Sequence, residues 1–272
     1  MKKTVLGMLL GSLIVLIVFV FPAYSQKEEG VEVKDAPKID PESMADFIES
    51  LEFLSKAGSF SFSAEAEYDA LQGNGQKMEF GGVHKITVVR PDKVYSEIKE
   101  RDGTEKSFIF DGKDIYYADL EQNVYASVPR PGNIDQAMDY FTEGLQMPLP
   151  LGQLISSDIA EMVKKEIYAG GFVDESTIGG VECDHLAFRM KNIDIQVWIA
   201  SEGDPLQMRL VIDYKNAPGE PQFRAMFRDW NFKPAASDSL FVFKPGDGMK
   251  KITFAPILRA GLKSEEKEAE KK

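Results

Sequence analysis

An alternation of apolar and polar residues that begins at Phe60 constrains the fold of this chain most strongly. Phe60, Phe62 and every second residue as far as Tyr68 are apolar or small, and the residues between them are serines and glutamates. Side chains two residues apart share one face of a strand, whereas a helix distributes them around its axis. The pattern therefore predicts a strand with one buried face and one face in water.

Turn signals extend this pattern along most of the chain. Gly73-Asn74-Gly75, Asp102-Gly103 and Asp111-Gly112 each separate two β-rich runs. Gly and Asn tolerate the positive φ that tight hairpin turns require. The connections are too short for a crossover helix, so neighbouring strands are predicted to be antiparallel. We expect about six strands up to residue 128 and about five more between residues 165 and 232.

Two segments have helical spacing instead. Apolar residues recur at intervals of three and four from Met44 to Leu54, before Gly58, and again within residues 133–163. The second segment is interrupted at residues 144–151 by an apolar stretch with two prolines, which favours a mobile cover. A twisted sheet of about eleven strands curls or closes. The sequence thus predicts a mainly β (α+β) fold: an antiparallel half-open barrel with an N-terminal helix and a helical lid insertion.

The N-terminus has the features of an export signal. Lys2 and Lys3 precede an uncharged run, and small residues follow at Ala23 and Ser25, which predicts a signal peptide over residues 1–25 and a periplasmic protein. The uncharged run approaches the length that spans a bilayer, so a retained anchor in the inner membrane stays open as an alternative. We expect a flexible leader at residues 26–41, a single domain at 42–258 and a charged flexible tail at 259–272.

Composition and motifs exclude several classes of function. The 44 acidic residues against 32 basic ones give a net charge of −12, which argues against a nucleic-acid partner. Nucleophile, phosphate-binding and metal-binding motifs are absent from the sequence. We therefore predict no catalytic residues, no metal, no cofactor and no enzymatic activity.

Four polar residues nevertheless have two interpretations each. Cys183 and His185 would share a strand face and could form a reactive pair, but a buried thiol beside a hydrogen-bonded histidine is the alternative, since zinc needs more ligands. His84 falls on the apolar side of its strand, either as a satisfied core group or as part of a pocket lining. Arg90, at the end of that strand, could likewise belong to the inner side of the sheet or simply point into solvent.

Several segments of the mature chain are similar to a known family. They are residues 180–188 (Gly-Val-Glu-Cys-Asp-His-Leu-Ala-Phe), Val197-Trp198-Ile199, residues 205–209 (Pro-Leu-Gln-Met-Arg), residues 227–232 (Phe-Arg-Asp-Trp-Asn-Phe) and residues 241–245 (Phe-Val-Phe-Lys-Pro). In these segments and in its order of elements, the chain resembles the LolA/LolB-type lipoprotein-carrier superfamily, and within it a branch of predicted periplasmic proteins. The resemblance implies non-enzymatic binding or carriage of a lipophilic ligand, such as an acyl chain, a lipid or a lipoprotein, with an envelope membrane or a lipoprotein as partner.

Large apolar residues supply candidates for such a site, although they could equally form an ordinary packed core. The ligand-cavity candidates are Phe60, Phe62, Tyr68, Phe80, Ile86, Trp198, Leu206, Met208, Phe223, Phe227 and Trp230. The lid candidates are Met138, Phe141, Leu145, Met147, Leu149 and Leu151. Two other functions stay open: an envelope protein-interaction or stress-sensing module on the same scaffold, and a hydrolase with an unrecognised site.

Overall fold

A twelve-stranded sheet organises the part of the chain that the computed structural model describes, which is residues 38–145 and 149–254. The predicted signal peptide, almost all of the predicted leader, the charged tail and Met147 lie outside these residues. The strands are β1 Ser59–Leu71, β2 Lys77–Val89, β3 Lys93–Glu100, β4 Glu105–Phe110, β5 Asp114–Asp119, β6 Val124–Pro129, β7 Ala169–Ile178, β8 Val181–Arg189, β9 Ile193–Ala200, β10 Gln207–Tyr214, β11 Gln222–Asn231 and β12 Lys250–Ile252.

The sheet is open and almost wholly antiparallel. Its order is β12-β6-β5-β4-β3-β2-β1-β11-β10-β9-β8-β7, so β12 and β7 form the two edges. The short strand β12 pairs in parallel with β6, and the other pairs are antiparallel. The first six strands and the next five form two halves that meet where β1 pairs with β11. The predicted half-open architecture is confirmed, with one strand more than expected.

The pairing register defines two faces of this sheet. Phe60 lies opposite Val88 and Phe62 opposite Ile86, so these four side chains share one face, which we call the inner face. Phe60 is 0% exposed and Phe62 is 2% exposed, whereas the glutamates of β1 lie on the other, outer face. The alternation of apolar and polar residues in β1 therefore matches burial, as predicted.

Helices cover the inner face. They are α1 Pro41–Lys56, α2 Ile134–Asp139, a π-helical turn Tyr140–Gly144, α3 Pro150–Leu154 and α4 Ile159–Glu166; a 3-10 turn, Asp238–Phe241, lies between β11 and β12. Helix α1 begins where the Asp40 carboxylate accepts a hydrogen bond from the Ser43 amide, and its Phe47 stacks on Phe188 of β8 at 5.3 Å between ring centroids. In residues 38–145 and 149–254, none of the helices has both the length and the apolar character needed to cross a bilayer.

The segment between β6 and β7 contains the predicted helices. Within residues 144–151, which were expected to be a mobile cover rather than a packed strand, Gly144 ends the π-helical turn and Pro150 begins α3. Proline is well tolerated in the first helical turn, since its missing N–H would have no partner inside the helix there. We refer to α2, the π-helical turn, α3 and α4 together as the helical cover.

Candidate functional site

The apolar part of the inner face brings together most of the predicted cavity residues. Phe60, Phe62, Ile86, Phe223 and Phe227 all belong to one buried cluster and are 0–8% exposed. The Phe62 ring lies 5.8 Å from that of Phe227 and 4.6 Å from the half-buried ring of Trp230. Phe60, Phe62, Phe227 and Trp230 therefore form one aromatic surface where β1 pairs with β11, and this pairing is the seam between the two halves of the sheet.

The lid candidates that the structure describes belong to the same buried cluster or pack against it. Met138, Phe141 and Leu151 are buried in the same cluster, and Leu145 and Leu149 pack against it while half-buried. Their partners include Phe108 of β4, whose ring lies 5.7 Å from that of Phe141. The helical cover therefore contacts the first half of the sheet through apolar side chains.

A half-buried arginine, Arg90, joins this cover to the sheet. Of the two interpretations of Arg90, the inward one fits the structure: its Nη2 donates to the carbonyl oxygen of Ile155 at 2.9 Å and to that of Leu54 at 3.4 Å. Its guanidinium also lies 5.9 Å from the centre of the Phe60 ring. Burial lowers the pKa of Arg90. Ile155 follows the last residue of α3, where carbonyl groups lack partners inside the helix, and this explains the inward position of the Arg90 side chain.

Four cavity candidates lie outside the buried cluster. Trp198 is on the outer face, where its ring stacks on that of His185 at 4.0 Å and the Arg209 guanidinium lies 5.2 Å away. Leu206 and Met208 are half-buried at the start of β10. Phe80 is on the inner face near the end of the hairpin that joins β1 and β2, 38% exposed, and it stacks on Tyr68 at 6.0 Å.

The inner face also carries polar side chains that our sequence analysis did not assign to a site. We call His84, Glu100, Lys106, Tyr117 and Asp119 the polar cluster. The register places all five on the inner face of β2 to β5, next to the apolar surface. Lys106 donates to Glu100 at 3.0 Å, and Asp119 is 1% exposed. Lys106 and Asp119 occupy positions where the alternation calls for apolar residues, and that signal could have identified them.

Burial is the largest cause of the pKa shifts of His84 and Tyr117 in this cluster. It lowers the pKa of His84, with Glu100 opposing the shift and Lys106 adding to it. It also raises the pKa of Tyr117 far above the ordinary tyrosine value, and the charges of Asp119 and Glu100 act in the same direction. At neutral pH the cluster thus holds a neutral imidazole and a protonated phenol beside Lys106, Glu100 and Asp119.

Cys183 and His185 have separate partners. The buried Cys183 thiol donates to the carbonyl oxygen of Val181 at 3.4 Å, and burial raises its pKa. His185 lies between Asp174 Oδ1 and Gln196 Oε1, each 3.2 Å from a ring nitrogen. A group of three or more metal-ligating side chains does not occur within the described ranges. The arrangement fits the interpretation of a buried thiol near a hydrogen-bonded histidine.

Comparison with known proteins identifies the family. Residues 46–255 match the family described as "Predicted periplasmic protein (DUF2092)", which is more than half of the 272-residue chain. The chain belongs to this family. The family description and the export signal agree on a periplasmic location for this DUF2092 protein. None of the curated proteins matches the chain.

Solved structures that are similar to this chain include a mycobacterial lipoprotein and a LolA-superfamily protein. LppX, a lipoprotein of Mycobacterium tuberculosis, is 14% identical; the match covers 72% of this chain and 98% of LppX, with a TM-score of 0.46. LprF from Mycobacterium bovis is 14% identical, with 74% and 97% covered and a TM-score of 0.47. A LolA-superfamily protein from Nitrosomonas europaea is 9% identical, with 74% and 97% covered and a TM-score of 0.36. At these identities the similarity concerns the fold alone.

Proposed function

We propose that this DUF2092 protein binds a lipophilic ligand with an acyl chain, held against the inner face beneath the helical cover, and that it does so without catalysing a reaction. The observation that carries the proposal is the shortness of the helices in this cover. Its helices α2, α3 and α4 have six, five and eight residues. Helices shorter than about 12–15 residues are marginal by themselves in water, so these depend on apolar contacts with the sheet.

An acyl chain can replace those contacts. Each methylene group removed from water stabilises the bound state by about 0.8 kcal/mol, and the aromatic surface of Phe60, Phe62 and Phe227 offers partners for it. Polar links between the cover and the rest of the fold are few and mostly use the main chain: Arg90 to Ile155, and the Ile134 amide to the Pro91 carbonyl oxygen at 2.9 Å. We expect the cover to move outward when the ligand enters. The resemblance of the sequence to lipoprotein carriers supports the same class of ligand.

The test combines a probe with an extraction. Purified protein is titrated with N-phenyl-1-naphthylamine, an uncharged apolar dye whose emission rises in apolar surroundings. In parallel, protein isolated from its own periplasm is extracted with organic solvent, and the extract is analysed by mass spectrometry. We expect saturable dye binding and a co-purified acyl lipid. A protein that binds no dye and carries no lipid would contradict the proposal.

A matched pair of substitutions provides the control. Ala64 lies on the inner face and Ala118 on the outer face, and they are 0% and 1% exposed. Ala64→Leu fills space beside the aromatic surface, so dye affinity should fall by about fivefold or more. Ala118→Leu adds the same bulk on the outer face, away from the proposed site, so dye affinity should fall less. Both variants are first checked for native circular dichroism. An equal loss of affinity in the two would argue against the inner face as the binding surface.

A further inference from the structure

The polar cluster, defined above by His84, Glu100, Lys106, Tyr117 and Asp119, interrupts an otherwise apolar face. On one side of it along β2 lie the buried Ile86 and Val88. On the other side lie Phe80 and Met78, which share the inner face and are 38% and 45% exposed. The cluster therefore separates the covered apolar surface from an exposed apolar end of the same face. A ligand lying along this face would meet apolar and polar surroundings in turn.

The charges of the cluster do not suit an anion. Lys106 is already paired with Glu100, and the two side chains are only 10% and 21% exposed. Asp119 adds a second carboxyl group, and its Oδ2 is buried without a hydrogen-bond partner among the residues of the described ranges. An incoming carboxylate or phosphate would face more negative than positive charge at short range, where a low dielectric strengthens the repulsion.

Hydrogen-bonding groups remain available in the cluster. The Tyr117 hydroxyl and both ring nitrogens of His84 make no hydrogen bond to any part of the chain that the structure describes. A phenol can both donate and accept, and a neutral imidazole offers one donor and one acceptor. These are the groups that pair with hydroxyls. Polar groups of this kind, left open in an apolar pocket, fix the orientation of a ligand.

We infer that the polar cluster binds the head group of the acyl lipid, and that this head group is uncharged and carries hydroxyl groups. The inference rests on the proposed function, because it assumes that an acyl chain lies along the inner face. The hydroxyls would donate to Asp119 and His84 and accept from Tyr117. If the Lys106–Glu100 ion pair had only a structural role, the affinity for an acyl lipid would not depend on its head group.

Two ligands with the same chain test the inference. Monododecanoylglycerol carries two free hydroxyls and no charge, whereas dodecanoate is an anion at pH 7.5. Each is titrated against protein saturated with N-phenyl-1-naphthylamine, and displacement of the dye is measured. We expect the glycerol ester to bind at least about tenfold more tightly than dodecanoate, since each satisfied hydrogen bond contributes about fivefold and the anion is repelled.

Adjacent tyrosines supply the matched variants. Tyr117→Phe removes one hydroxyl from the inner face, and Tyr116→Phe removes one from the outer face, where Tyr116 stacks on Phe243. Neither change removes the ring, so folding should persist. Tyr117→Phe should weaken the glycerol ester about fivefold and leave dye affinity unchanged, and Tyr116→Phe should change neither. Glu100→Gln, which removes one negative charge, should improve dodecanoate binding relative to the ester.

The outcomes separate this inference from the proposed function. If the dye does not bind, both fail together. If the dye binds, but the two ligands bind equally or Tyr117→Phe behaves like Tyr116→Phe, the head-group assignment fails and the acyl-chain site stands.

Discussion

At the scale of single residues, the inner face links folding stability to pH through His84. Burial lowers the pKa of this side chain below its usual 6.5. At a pH between the pKa in the folded protein and 6.5, the unfolded chain therefore binds a proton that the folded protein does not. The free energy of unfolding therefore includes a contribution that is fully present above pH 6.5. That contribution is lost as the pH falls from 6.5 towards the folded pKa, by at most about 1.4 kcal/mol per pH unit.

Substitution of His84 by leucine should remove this dependence. Urea denaturation at several pH values between 8 and 5.5 gives the free energy of unfolding of both proteins. The difference in free energy of unfolding between wild type and His84→Leu should be constant at about pH 7.5 and above. Below about pH 6.5 the wild type should lose stability relative to the variant. Parallel pH profiles throughout this range would show that the folded protein does not disfavour the charged imidazole.

At the scale of secondary-structure elements, Arg90 joins the ends of α1 and α3 to the end of β2. The Ile155 carbonyl group would lose its Arg90 donor in Arg90→Met, which keeps an apolar stem of similar reach, whereas the Leu54 carbonyl group keeps the Ala57 amide as a donor at 3.3 Å. Leaving a buried acceptor unpaired costs about 1–3 kcal/mol. The helical cover should bear this cost, because its short helices depend on few contacts, whereas the sheet has its own ladder of hydrogen bonds.

Hydrogen exchange followed by mass spectrometry measures this effect by segment. In Arg90→Met, amides of residues 149–166 should exchange faster, and those of β4 and β5 should stay protected. Arg189→Met serves as a control, because Arg189 is exposed and its Nε lies 3.7 Å from Asp194. Unchanged exchange over residues 149–166 in the Arg90 variant would mean that apolar contacts alone hold the cover.

At the scale of the whole molecule, the pairing of β1 with β11 makes one sheet out of two halves. Ala66 lies opposite Ala225 there, and these side chains are 3% and 2% exposed. Ala225→Asp would bury a charge at this seam at a cost of about 3–5 kcal/mol. Because both halves share one core, β4–β5 and β8–β9 should lose stability by the same amount and unfold together.

Exchange measured in increasing urea checks this cooperativity. Peptides from the two halves should show coincident midpoints in the wild type and in Ala225→Asp. Met226 is the next residue, lies on the outer face and is 36% exposed. Met226→Asp should therefore change the free energy of unfolding by about 0.5 kcal/mol or less, and the midpoint should move little. Separate midpoints for the two halves would show that the seam joins two independent folding units.

The sequence by itself determined the local structure of most elements. Phe60 and Phe62 alternate with serines because a strand has a period of two, and that period is a property of the backbone. Gly103 and Gly112 have φ values of 92° and 84°, as the predicted hairpin turns require. Helix α1 follows in the same way from apolar spacing and from a proline in its first turn. These features depend on neighbours within a few residues.

Tertiary structure decided which face of each strand turns inward and which elements contact one another. Trp198 was predicted to line a cavity, but the period of a strand does not say which of its two faces turns inward, and pairing with β8 and β10 put the ring on the outer face. Strand β12 has only three residues and forms by pairing with β6, far away in the sequence. The inward turn of Arg90 and the meeting of His84, Lys106 and Tyr117 likewise require the register of several strands and helices at once, because their partners are distant in sequence and adjacent only after folding.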